Sequence, residues 1–503
     1  MKILYSLVII VCSGLLVTGD IAAQPYTYNH AKVSLSDDGN RLEDISGVLL
    51  LPDDIPLWSR QSREYQPGDL SKDLSKDGFF RGPTPFINLP ETFKRHTHQH
   101  QPSVTSNEKG ELLVAYYSTP SAKQEKSLEL TVLASRYNYK NKQWEQASEF
   151  FKVDNSNDHG TALFYDDKNK TLYHYNGIGK PGVEGWAKLA LIQRASTDFG
   201  RTWTEPDIID PVFAYRHQVI SGAFRRENGD RVLPCDNTDG GLGGTALYLH
   251  TGDQWVDYGK GEKEPLYYTG KQPEDLGSVM GNICGIHAGV VEVYPEANEP
   301  PRLLALGRAD PTWVKALWKA DRSHYKEGHM PVSRSDQAGI NWSYALTGLP
   351  AIGSGQRLGL IRLTDKLTSG RSPLLLVSFT GLRNRDRNEN NPAENTNLGP
   401  AMAFIDNDGH QIEYRGLYAA LSYDEGQTWP VRKPLTPADG KTYDGGAWTG
   451  RFIATKTQGE PAGYVTLTQT PDGTIHLLTS RLYYSFNLHW LENHSLSWQP
   501  SGE

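Results

Sequence analysis

Four histidines stand at the mouths of segments that read as apolar strands. His159 lies in Asn157-Asp158-His159-Gly160, directly before the strand from Thr161 to Tyr165, and His174 falls in the same hairpin. His217 lies in Tyr215-Arg216-His217-Gln218, and His287 in Gly285-Ile286-His287-Ala288. Imidazole titrates near neutrality and can take or give a proton. Tyr464, in Gly463-Tyr464-Val465, adds a phenol before another strand. His159, His174, His217, His287 and Tyr464 are therefore the expected catalytic set. Arg216, Arg308, Arg357 and Arg415 are the expected grips for a carboxylate or sulfate, because a planar guanidinium binds such anions with two parallel hydrogen bonds. Asp236 is an expected sugar ligand, and Trp448 can stack on a sugar ring. Each residue also has a plainer reading: a satisfied core histidine, a surface ion pair, a packed tryptophan.

Those residue types allow two reactions on a glycan. In hydrolysis, Tyr464 would attack as nucleophile, with His287 as its base and Asp236 as the acid for the leaving oxygen. β-Elimination on a uronic acid needs a cation beside the carboxylate, a base for the C5 proton and an acid for the leaving oxygen. Arginine, histidine and tyrosine supply those parts without a catalytic carboxylate, so elimination of the lyase or dehydratase type is preferred. A non-catalytic glycan-binding protein is the third reading. His96, His98 and His100 alternate like metal ligands but lack acidic neighbours. No cofactor is expected, while a structural metal ion stays open. The cluster Gly240-Gly241-Leu242-Gly243-Gly244 lacks the Lys-Ser or Lys-Thr of a phosphate loop. It reads as close backbone approach beside Asp239.

The elements that must position these residues show as repeats. Ser196-x-Asp198-x-Gly200-x-x-Trp203 and Ser422-x-Asp424-x-Gly426-x-x-Trp429 share one pattern. Ser335-x-Gln337-x-Gly339-x-x-Trp342 keeps Ser, Gly and Trp, with Gln at the Asp position. In such a turn Ser and Asp side chains bond backbone N–H groups, Gly takes positive φ and Trp packs beneath the hairpin. Asp198, Trp203, Trp342, Asp424 and Trp429 are accordingly structural. A second hairpin type alternates with the first, at Asn228-Gly229 and Pro471-Asp472-Gly473 among others. Alternating hairpins predict four-stranded blades arranged radially, an all-β propeller with six blades rather than seven. The expected organisation is 1–23 signal peptide, 24–95 loop-rich segment packed on the propeller or closing it with a strand, and 96–495 propeller.

On these turns the chain resembles the bacterial sialidase family and its wider group of BNR-repeat proteins. The resemblance implies a six-bladed propeller with the active site at one end of the central channel. It also implies counterparts residue by residue. His100, in His100-Gln101-Pro102, stands where the family has the arginine of Arg-Ile-Pro. The loop from Tyr117 to Lys126 offers only Glu125 where the family has a general-acid Asp. His287 stands at the family's glutamate, before Val290-Val291-Glu292-Val293. Arg308 matches an arginine, Arg415 is one residue from another with Tyr414 in register, and Tyr464 fits the nucleophile. Histidine in place of both Arg and Glu implies chemistry away from sialic acid.

Bulk properties agree with that picture. The chain has 503 residues, 10% aromatics, 49 Gly and 30 Pro, which suits many short strands joined by tight turns. A net charge of −8 argues against nucleic acid as a partner. The expected partner is an acidic oligo- or polysaccharide. Lys2, the apolar run Ile3 to Val17 and Ile21-Ala22-Ala23 read as an export signal, so the protein is expected to be secreted or periplasmic, with no membrane insertion of the mature chain. Cys235 and Cys284, the cysteines outside that segment, allow one disulfide.

Overall fold

The computed structural model describes residues 30–47, 78–220, 222–237, 244–259, 279–280, 282–295, 299–308, 329–365, 372–384, 391–398, 401–406, 409–493 and 497–498. The expected signal peptide and the Gly240–Gly243 part of the glycine cluster, with Asp239, lie outside them.

The described residues form six radial sheets of at least four strands each. Blade one runs His98–Ser106, Leu112–Thr119, Thr131–Asn138 and Ser148–Phe151. Blade two runs Thr161–Asp166, Thr171–Gly179, Leu189–Ser196 and Asp207–Ala214. Blade three is built on Gln218–Val219, Arg231–Asp236, Thr245–Thr251 and Gln254–Asp257. Blade four runs Ile286–Val293, Arg302–Arg308, His329–Ser335 and Asn341–Pro350. Blade five runs Gly359–Arg362, Leu374–Phe379, Leu417–Ser422 and Val431–Pro434. Blade six joins Thr466–Gln469, Ile475–Leu478 and Leu482–Phe486 to Phe80–Pro85 from the other end of the chain. That last strand ties the ring shut. The remaining described N-terminal hairpin, Lys32–Leu35 with Leu42–Ser46, leans on the outer strand of blade two.

Blade strands are apolar on both faces because each blade packs between two others. All eight residues of Leu112–Thr119 are buried, as are all six of Leu374–Phe379. Hydrophobic clusters fill the spaces between neighbouring sheets. The repeated turns hold the blade hairpins. Ser196 Oγ donates to Asp198 Oδ1 (2.8 Å) and accepts from the Gly200 amide (2.7 Å). Asp198 Oδ1 also accepts the amides of Arg201 and Thr202, at 2.9 Å each. Gly200 has φ 84°, a region costly for a residue with a Cβ. Ser422, Asp424 and Gly426 repeat the arrangement. Trp203, Trp342 and Trp429 are buried.

The third turn corrects its reading from sequence. Gln337 does not replace the missing Asp. Asp336, one residue earlier, accepts the Ile340 amide (2.9 Å) and the Asn341 side chain (2.7 Å). The carboxylate function is kept at a shifted position. Cys235 and Cys284 are both buried as free thiols, so no disulfide joins them. Among the described residues no helix is long and apolar enough to cross a membrane.

Candidate functional site

The innermost strands begin at one mouth of the channel, and irregular backbone there aims side chains into it. In blade four the first strand bulges between Ile286 and Gly289, with Gly285 at φ 88° and His287 at φ 55°. In blade one the bulge lies between His100 and Ser103, with Gln101 at φ 54°. A left-handed histidine is strained and persists only where its surroundings hold it. Here Asp236 holds it from two sides. Asp236 Oδ1 accepts the His287 amide (2.6 Å), and Oδ2 lies against His287 Nδ1. Between blades five and six, Gln356–Arg357 pairs in parallel with Gly463–Tyr464, which sets Tyr464 at the channel mouth.

The result is a relay. Tyr464 Oη lies 2.7 Å from His287 Nε2, while Nδ1 of the same ring faces the Asp236 carboxylate. Arg308 Nη1 approaches the phenol oxygen at 3.4 Å. Burial, reinforced by Arg308, drives the His287 pKa down to about 4 against the pull of Asp236. Its imidazole is therefore neutral at pH 7. With Asp236 on Nδ1–H, Nε2 is the acceptor for the phenol proton. Burial pushes the Tyr464 phenol above its usual range, with Arg308 pulling the other way, so it rests protonated and donates to His287. His100 covers the Tyr464 ring at 3.8 Å between centroids, and Ser480 Oγ joins the two through the His100 ring (2.8 Å) and the Tyr464 amide (3.0 Å).

A second polar group lies beside the relay. Glu125 Oε1 collects His98 Nε2 (2.7 Å), the Tyr117 hydroxyl (2.7 Å) and Trp448 Nε1 (2.8 Å). Burial would raise its pKa, but the His98 hydrogen bond and the surrounding imidazoles outweigh that and hold it well below the usual carboxylate range. Glu125 is thus a fixed anion rather than a proton donor. His159 lies tilted against Tyr117 at 4.9 Å between ring centroids and accepts from Gln218 Nε2 at 2.8 Å. Burial lowers its pKa to about 4.

Of the residues expected from sequence, His159, His287, Tyr464, Asp236, Arg308 and Trp448 come together here. Asp236 has a different part from the one expected. It is 1% exposed behind His287, so it orients the imidazole and neither binds sugar nor protonates a leaving group. His174 lies elsewhere. It is buried in blade two between Thr161 and Arg194, whose guanidinium stacks on Phe150 and Trp203. His217 is also structural, tied to the Leu189 carbonyl (2.6 Å) and facing Asp210. Arg216 spends Nε and Nη2 on both oxygens of Asp257, at 2.7 Å each. Arg357 passes under the Tyr464 ring, but its N–H groups go to the carbonyls of Val465, Ile220 and Pro102. It pins the channel instead of gripping a ligand. Arg415 sits on backbone joined to Thr457 and Gly459, outside the relay.

Nothing in the sequence pointed to a role for Tyr117 or Gln218. His98 stood out only as one of three alternating histidines, and His100 and Glu125 were marked as counterparts implied by the resemblance. The i, i+2 spacing of His98 and His100 was the available signal, since it puts both on one face of a strand. Among the described residues no group of three or more His, Cys, Asp and Glu is placed to hold a metal ion.

No family model and no curated protein matches the chain. Several solved structures are similar in fold. A protein of unknown function from Dyadobacter fermentans is 13% identical, with 84% of this chain and 99% of that one covered and a TM-score of 0.47. The intramolecular trans-sialidase from Ruminococcus gnavus, in complex with oseltamivir carboxylate, is 12% identical over 83% and 98%, with a TM-score of 0.46. A mutant NanB sialidase from Streptococcus pneumoniae is 8% identical over 81% and 70%, with a TM-score of 0.47. The six-bladed all-β architecture rests on the chain's own strand pairing. None of these structures lends a role to a residue here.

Proposed function

We propose that this protein is a carbohydrate-active enzyme that cleaves an acidic, uronic-acid-containing oligo- or polysaccharide by β-elimination. The observation that carries the reading is the Tyr464–His287–Asp236 relay with Arg308 on the phenol. As substrate docks, the Tyr464 proton moves to His287 Nε2. The phenolate, steadied by Arg308, takes the C5 proton. The C4–O bond breaks, the C4=C5 bond forms, and the leaving oxygen receives the proton carried by Tyr464. His287 then returns its own proton to the phenolate. Arg308 is the cation nearest the reacting centre and would favour the charge that builds on the uronate.

The state of the carboxylates supports elimination. Hydrolysis needs a carboxylic acid or its equivalent for the leaving oxygen. Glu125 is an anion held by three donors, and Asp236 is buried behind His287. One observation favours a second reading, hydrolysis with Tyr464 as nucleophile: the same relay would make its phenolate attack at carbon.

One assay separates them. Acidic polysaccharides are incubated with the protein, and absorbance of the new C4–C5 double bond is followed alongside released reducing ends. Elimination gives both signals. Reducing ends without absorbance support hydrolysis and sink the elimination reading. Neither signal, with measurable binding, supports a binding propeller. Export is part of the proposal, on the strength of Lys2 and the apolar run that follows. An N-terminus beginning at Met1 in protein recovered from the producing cells would refute it.

A further inference from the structure

The relay occupies one side of the channel mouth, between the approach to blade six and blade four. Blades one and two carry a run of rings to which elimination gives no task. From Trp448, ring contacts step to His98 (5.9 Å), then to Tyr117 (5.9 Å), His159 (4.9 Å) and Trp186 (5.8 Å). These steps follow neighbouring blades. Trp448 lies between Thr442–Asp444 and Arg451–Ile453, ahead of blade six. His98 and Tyr117 belong to blade one, and His159 and Trp186 to blade two. The three inner rings are buried and the two end tryptophans half-buried.

The segment carrying Trp186 is anchored. The Gly185 amide donates to the Lys126 carbonyl (2.9 Å), next to Glu125, and the Gly182 amide to the Asn155 carbonyl (2.7 Å). Asn157 Nδ2 bonds the carbonyls of Glu125 and Ser127, at 2.8 Å each. The Trp186 loop and the Glu125 loop are thereby one platform. Val183 in that loop is 52% exposed, as is Leu398. Leu398 pairs with Leu382 in the hairpin whose Arg383 lies over Trp448. Val183 lies three residues before Trp186 in the same loop, and Leu398 lies in the strand pair that carries Arg383. Two residues after Trp186, the Lys188 ammonium sits over the Tyr215 ring.

A half-buried indole on an anchored loop, with an apolar neighbour and a cation, matches a pyranose that has an apolar face and a carboxylate edge. We propose that Trp186 is the stacking platform of a distal sugar subsite, so that the site takes an acidic oligosaccharide, with one sugar at Tyr464 and a further sugar on Trp186. The Tyr464 end of this placement rests on the function proposed above.

The test uses the full chain on an array of defined acidic oligosaccharides of graded length, from disaccharides upward. Wild type, Trp186→Ala and Trp186→Phe are compared by affinity. Wild-type affinity should rise with length. Trp186→Ala should weaken the longest ligands about tenfold and leave disaccharides unchanged, while Trp186→Phe recovers most of the loss. No binding at any length, an equal loss at all lengths, or no loss at all would overturn the subsite. Failure of the elimination reading shows separately, as absent double-bond absorbance while length-dependent binding through Trp186 persists.

Discussion

At the scale of single residues, the phenol of Tyr464 is the group on which the relay converges. Tyr464→Phe should abolish turnover, with the unfolding midpoint close to that of wild type. Asp236→Asn is more informative, because it keeps the shape and removes the charge that fixes the His287 tautomer. By analogy with the triad carboxylate of serine proteases, kcat should fall roughly 10²–10⁴-fold with little change in KM. A change in KM alone would mean that Asp236 touches sugar after all. The pH profile is a second check. A histidine of ordinary pKa would impose an acid limb near pH 6.5, whereas His287 at about 4 leaves kcat/KM flat from neutrality to near that value. The same depression has a stability consequence. Between pH 6.5 and about 4 the unfolded chain binds protons at His159 and His287 that the folded chain refuses. Stability should therefore fall as pH drops through that window, read as a falling urea midpoint. A flat midpoint would place both rings in a wetter setting.

At the scale of elements, the repeated turns are scaffolding. Asp198 and Asp424 each accept several hydrogen bonds within their own turn. Replacing either with Ala should cost about 1–3 kcal/mol of stability and leave activity per folded molecule unchanged. The third turn gives a sharper comparison. Asp336→Ala should be destabilising by a similar amount, while Gln337→Ala should stay within about 0.5 kcal/mol, as denaturant unfolding would show. The pattern was legible in sequence because each turn satisfies itself within eight residues. The shift to Asp336 was not, because a carboxylate one position earlier reaches the Ile340 amide and the Asn341 side chain only once the backbone of that turn is set.

At the scale of the whole molecule, Arg357 and the strand Phe80–Pro85 turn six sheets into one body. Arg357 stands before blade five and donates to a carbonyl in blade one and to carbonyls next to blades three and six. Arg357→Met would leave those buried carbonyls without their donor. It should lower stability by at least about 3 kcal/mol, and the residual folded protein should keep its KM. A grip on substrate would show the reverse, a raised KM with stability intact.

The sequence by itself determined the propeller, because its turns are local and its strands carry their own apolar pattern. It also singled out His159, His287 and Tyr464 from their places before innermost strands, and Arg308 and Trp448 from the resemblance and the residue type, and these five lie close together in the structure. What only the tertiary structure decided was how each group is spent. His174 and His287 are both buried histidines near strands, but one meets Arg194 and the other meets Asp236 and Tyr464. Arg308 and Arg357 both follow glycine-containing runs, but one reaches the phenol and the other three backbone carbonyls. His174 is spent inside its own blade, on the cross-strand neighbour Arg194, whereas His287 and Arg357 meet partners from other blades, and the partners come from segments 20 to 255 residues away in sequence.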